Sequence, residues 1–131
     1  MNRKDIDIIL KVLSETYPQA KCALNFNSPY ELLVSTILSA QCTDVRVNKV
    51  TQELYRKYNT PEEMLSLTEE ELGEKIKSCG FFRSKSKHIL ETSRAIIENY
   101  KGEVPKTMED LIKLPGVGRK TANVVLSNAF G

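Results

Sequence analysis

Apolar and polar positions follow a helical period along most of this chain. From Asn2 to Tyr17, Ile6, Ile9, Leu10 and Leu13 recur at i, i+3, i+4 and i+7, one face of a helix that Pro18 ends. Ser28-Pro29-Tyr30-Glu31 then combines a capping serine, a proline at the first helical position and a glutamate three residues after the cap. The run behind it, Leu32 to Ala40, is apolar nearly all round and predicts a central buried helix.

A break near Gln41-Cys42-Thr43 precedes an amphipathic helix carrying Val47, Val50, Leu54 and Tyr58. Thr60-Pro61-Glu62-Glu63 and Thr68-Glu69-Glu70-Glu71 open two more, with carboxylates at the positive helix end. Gly80 is a plausible C-cap for the second of them. Ser84 to Tyr100 reads as a long helix with Ile89, Leu90, Ile96 and Ile97 inward, closed by Gly102. Thr107-Met108-Glu109-Asp110 caps a short helix through Lys113, Leu114 to Gly118 is a tight turn, and a last helix from Arg119 carries Ala122, Val125, Leu126 and Ala129. No strand pattern lasts beyond four residues, so the expected fold is all-α, a helical bundle with a helix–hairpin–helix at 107–131.

Composition adds exclusions. With 131 residues, 40% hydrophobic and 27% charged, the chain can bury one real core and is neither disordered nor collagen-like. Asp5, Asp7 and Lys11 interrupt the apolar residues behind Met1-Asn2-Arg3-Lys4, so neither a secretory leader nor a membrane span is expected, and a cytoplasmic location is. Cys22, Cys42 and Cys79 are far apart, and the one histidine, His88, has no cysteine near it in sequence. No metal site is expected from these residues, and reduced, packed thiols are the simpler reading.

Charge changes the picture through its distribution. The net is only +2, but residues 1–74 carry eight basic against twelve acidic side chains, and residues 75–120 eleven against five. The second half can present a positive face to a polyanion, or simply a solvated helical surface.

The hairpin carries the candidate chemistry. Pro115 fixes the entry dihedral, and Gly116 and Gly118 permit positive φ and the close approach of another backbone. Amides of Gly116, Val117, Gly118 and Arg119 lie at the positive end of the following helix, a site for a phosphate diester that is indifferent to base sequence. An ordinary helix turn is the rival reading. Lys120 sits in the first turn of that helix beside Arg119. Read alone, it is equally a nucleophile for Schiff-base chemistry or one more phosphate-binding cation.

Three separated stretches then carry a resemblance. Leu114-Pro115-Gly116-Val117-Gly118-Arg119-Lys120-Thr121-Ala122-Asn123-Val124-Val125 resembles the hairpin segment of the endonuclease III family. Leu38-Ser39-Ala40-Gln41-Cys42-Thr43-Asp44 and Asn25-Phe26-Asn27-Ser28-Pro29 match further stretches of that family in order and at matching separation.

The resemblance implies a DNA glycosylase with abasic-site lyase activity on oxidised pyrimidines, acting on double-stranded DNA with damaged bases or abasic sites. It places Lys120 as the catalytic lysine and Gln41 as the side chain that fills the gap left by a flipped nucleotide. A polar residue at a helix C-terminus is the other reading of Gln41. Asp44 either caps a helix or lines the pocket. Phe81 and Phe82, followed by Arg83 and Lys85, suggest an apolar wedge flanked by phosphate-binding cations, with packing on the next helix as the rival for Phe82. Family members often carry Leu then Tyr there.

The family continues past Phe130-Gly131 with a catalytic aspartate and four cysteines that bind an iron–sulfur cluster. The chain is therefore expected to act as a fragment with feeble or no base release, while Lys120 can still trap an abasic aldehyde. Residues 1–21 form the helix that packs on that later part in the family, and 22–131 the DNA-binding core. An apolar face left open on residues 2–17 would favour self-association. Two alternatives remain: a non-enzymatic helix–hairpin–helix DNA-binding module, and an adenine-mismatch glycosylase relative, which Lys120 counts against.

Overall fold

The computed structural model describes residues 23–130, and the first helix, Cys22 and the 1–21 unit read from the sequence lie outside them. Every regular element among the described residues is helical. Seven α-helices follow one another: α1 (Pro29–Leu38), α2 (Asp44–Leu54), α3 (Pro61–Met64), α4 (Glu69–Ile76), α5 (Phe82–Tyr100), α6 (Met108–Leu111) and α7 (Arg119–Val125). A 3-10 turn (Lys77–Cys79) links α4 to α5, and a π-turn (Leu126–Phe130) continues α7.

Helix starts are set locally. The hydroxyls of Ser28, Thr43, Thr60, Thr68 and Thr107 each accept a backbone N–H from the first turn of the helix behind them. At Thr68 the box is reciprocal, because Glu71 Oε1 also accepts the Thr68 N–H at 2.9 Å. Capping α2 falls to Thr43, so Asp44 is its first helical residue and not its cap.

The apolar run of α1 is buried from Tyr30 to Leu38, which makes it the central helix against which α2, α5 and α7 pack. Tyr58, expected on α2, lies beyond the helix end at Leu54. Just past that end the Tyr55 hydroxyl donates to the Glu31 carbonyl at 2.8 Å and fastens the segment to α1.

The inward stripe of α5 differs from expectation. Leu90 and Ile97 are only half-buried, and the fully inward positions are Lys85, Ser86, Ile89, Thr92, Ser93 and Ile96. Four of the six are polar, and each is satisfied. Ser93 Oγ lies 2.6 Å from Tyr30 Oη on α1, Ser86 donates to the Phe82 carbonyl, and Thr92 donates to the carbonyl of Pro115 in the hairpin turn. This polar stripe fastens α5 to its neighbours while the apolar core supplies the burial.

No helix among the described residues is long and apolar enough to cross a membrane. Cys42 and Cys79 are free thiols.

Candidate nucleic-acid interface

The hairpin divides its residues between core and solvent. Leu114 and Val117 are buried, whereas Gly116, Gly118, Arg119 and Lys120 are exposed. Gly116 adopts φ +77°, the left-handed conformation that the turn requires. Gly118 is extended at φ −99° and ψ −174°, so its lack of a side chain answers no backbone demand. The turn is pinned from behind by the Thr92 hydroxyl on the Pro115 carbonyl and by His88, which packs against the Gly116 backbone.

The amides divide in the same way. The Val117 N–H donates to the Leu114 carbonyl at 3.1 Å, so Val117 offers neither a free donor nor an exposed side chain. This corrects its expected place in a DNA contact: its apolar side chain anchors the turn. The amides of Gly118, Arg119 and Lys120 meet no acceptor among the described residues, and Gly118 has no side chain with which to cap α7. Unsatisfied donors at an exposed helix start attract an anion. The side chains of Arg119 and Lys120 project from the same turn with no carboxylate partner among the described residues.

Two further site residues stand on loops, one after α1 and one before α5. Gln41 follows the end of α1, is exposed and has φ +55°. Phe81 precedes α5, is 66% exposed and has φ +47°. Left-handed backbone is costly for both residue types. Phe82 behaves differently: its ring is half-buried, and a Cβ on Gly73 of α4 would lie 3.2 Å from it. Of the two aromatics, Phe81 alone is free to act as a wedge.

The cations behind Phe81 part company too. Arg83 is exposed, with its guanidinium 5.8 Å from the Phe82 ring centroid. It borders a 460 Å³ cleft shared with Glu69, Glu70 and Glu74, whose carboxylates weaken its pull on a phosphate. On the exposed side of α5, Arg83, Lys87 and Arg94 recur at helical spacing. Lys85 is not a phosphate contact, contrary to expectation. It is 5% exposed, and its ammonium donates to the carbonyls of Leu38 at 2.8 Å and Cys79 at 3.0 Å. Burial pulls its pKa down, while the nearby thiols of Cys42 and Cys79 act the other way.

The structure therefore assembles two groups on one core. Gly116, Gly118, Arg119 and Lys120 form the hairpin group on α7, and Gln41 and Phe81 form a loop group held through Lys85. Asp44 is half-buried at the start of α2. A cavity of about 990 Å³ is bounded by Asn25, Asn27, Glu31, Asn48, Gln52 and Tyr55, and none of the expected site residues borders it.

Sequence reasoning missed Thr92, His88 and the true role of Lys85. The missed signal was the spacing 85, 86, 89, 92, 93 and 96, a helix face made largely of polar residues. Among the described residues no three His, Cys, Asp or Glu side chains gather as metal ligands. Two thiols beside an ammonium do not fit a four-thiolate iron–sulfur cluster.

Comparison with known proteins gives the family and the fold. Residues 34–126 match the family described as HhH-GPD superfamily base excision DNA repair protein. Endonuclease III of Bacillus subtilis (strain 168) is 51% identical over 131 residues, all of this chain and 60% of the relative. Endonuclease III of Escherichia coli (strain K12) is 50% identical over the whole chain and 62% of its own length. The chain thus spans about 60% of the length of such curated relatives.

A non-covalent endonuclease III–DNA complex superposes with a TM-score of 0.85 at 46% identity, covering 100% of this chain and 61% of that one. A thermostable thymine-DNA glycosylase gives 0.78 at 27% identity, with 98% and 59% covered. With the family matched over most of its length, this chain belongs to the HhH-GPD superfamily of base excision DNA repair proteins.

Proposed function

We propose that this chain is the DNA-gripping part of a bifunctional glycosylase and abasic-site lyase that acts on oxidised pyrimidines in duplex DNA. The observation that carries the reading is the exposed Lys120 in the first turn of α7, directly behind a glycine turn with unpaired amides. The amides of Gly118 and Arg119 hold one phosphate, with no regard to base. Gln41 and Phe81 enter the duplex where a nucleotide has left the stack. A cytoplasmic, nucleoid-associated location follows from this role.

Lys120 then performs the covalent step. Its free amine adds to C1′ of the open-chain abasic aldehyde, and water leaves as the Schiff base forms. Loss of a C2′ proton expels the phosphate from C3′, and the strand breaks. In the full-length family an aspartate beyond Gly131 stabilises the charge that develops on the sugar as a base departs. Capture of a ready-made abasic aldehyde by this amine is expected to be efficient.

Borohydride reduction tests the assignment, because it converts the Schiff base into a stable amine that links protein to DNA. Wild type is expected to cross-link an abasic duplex strongly. Lys120→Ala is expected to lose the cross-link while its affinity for the duplex falls by less than about tenfold. Undiminished cross-linking by Lys120→Ala would remove Lys120 from the chemistry and leave a non-enzymatic DNA-binding module.

A further inference from the structure

Lys85 is the one buried cation among the described residues, and no carboxylate there pairs with it. Burying a lone ammonium is costly, and an apolar side chain would fill the space more cheaply. Its two acceptors explain its presence. The Leu38 carbonyl ends α1, three residues before Gln41, and the Cys79 carbonyl ends the 3-10 turn, two residues before Phe81. One nitrogen thus holds the bases of two loops, each of which leads into an exposed residue in left-handed conformation. The Cys42 and Cys79 thiols neighbour each other at the same junction, and α2 packs on the 3-10 turn behind it.

We propose that Lys85 is a positioning residue whose ammonium ties the Gln41 loop to the Phe81 loop and so sets the spacing of the two side chains that enter DNA at a lesion. The inference rests on the lesion-binding reading above. Strained, exposed residues persist only where their surroundings hold them. Two wedges gain from insertion only if they are aligned before DNA arrives, since ordering them on binding would offset the contact. Charge-assisted bonds from one nitrogen to both loops supply that alignment. A methionine at this position would fill similar space and leave both carbonyls without a donor.

The test uses this chain, its Lys85→Met and Lys85→Gln variants, and duplexes with and without an abasic site opposite 2-aminopurine. Lys85→Met is expected to keep its affinity for undamaged duplex within about twofold and to lose about tenfold or more of its preference for the abasic duplex. The 2-aminopurine fluorescence that reports the unstacked orphan base should fall in parallel. Lys85→Gln, whose amide donates to carbonyls, should recover part of both signals, a rescue that filling space would not produce.

A folded Lys85→Met with wild-type preference and fluorescence overturns the proposal. So does failure of both variants to fold, which makes Lys85 a residue of the core alone. A different result identifies failure of the parent reading: wild type shows no preference for the abasic duplex, or a Gln41→Ala/Phe81→Ala double variant retains it. In that case the positioning role falls with it.

Discussion

A Cβ built on Gly116 would sit 2.7 Å from the Cβ of His88, closer than real side chains approach. The hairpin turn is thus pressed directly onto α5, and the contact is to the root of the histidine. Gly116→Ala meets this overlap and also the cost of φ +77°. It is expected to destabilise the fold by about 2–3 kcal/mol and to displace the turn. Urea denaturation reads the first effect and duplex affinity the second. His88→Ala should not rescue it, because the nearest atom remains.

Gly118 offers the opposite case. Its φ is negative, and an added Cβ would meet nothing within 4 Å. Gly118→Ala is expected to leave stability within about 0.5 kcal/mol of wild type, as at an ordinary surface position. If a phosphate diester seats against this backbone, the new methyl group obstructs it, and affinity for duplex DNA should fall by about tenfold. Unchanged affinity would mean that no DNA backbone approaches there.

Phe81 and Phe82 should separate by the same logic. Phe81→Gly removes an exposed ring and relieves a left-handed backbone, while Gly adds freedom to the unfolded chain. The net change in stability is expected to stay within about 1 kcal/mol. Preference for an abasic duplex should nevertheless drop. Phe82→Ala should do the reverse: its ring packs on α4, and truncation is expected to cost roughly 2 kcal/mol with little direct effect on lesion preference. Thermal melts and binding titrations on the same two variants decide it.

What could be read from the chain follows from how local each cause is. A capping hydroxyl acts within three residues, so Ser28, Thr60, Thr68 and Thr107 announce their helices without help from the rest of the fold. The apolar run of α1 is equally self-contained. The glycine turn is legible because glycine's freedom is intrinsic, although only Gly116 uses it.

Lys85 could not be placed, because its partners are carbonyls that come together only after α1 and the 3-10 turn have docked. Charge ordinarily signals exposure, so in the sequence the isoleucines mark the inward stripe of α5 and the polar fastenings between them do not. Left-handed backbone at Gln41 and Phe81 is equally hidden in the sequence, because neither residue type favours it.

The buried thiol of Cys79 gives a prediction in pH. Burial pushes it up to about 11 from an ordinary value of 9.0. Below pH 9 the thiol is protonated in both folded and unfolded chains, and its contribution to stability is fully present. As pH rises from 9 towards 11, the unfolded chain loses this proton first, and stability falls. Lys85 acts oppositely: its folded pKa lies below 10.5, so its contribution to stability grows as pH rises towards that value. Replacing the thiol isolates one of the two effects. Cys79→Ala should begin less stable than wild type at pH 8, through lost packing, and gain on it steadily between pH 9 and 11. Denaturant midpoints for both proteins across this range make the comparison, and a stability difference independent of pH would show that the thiol ionises no later in the folded chain than in the unfolded one.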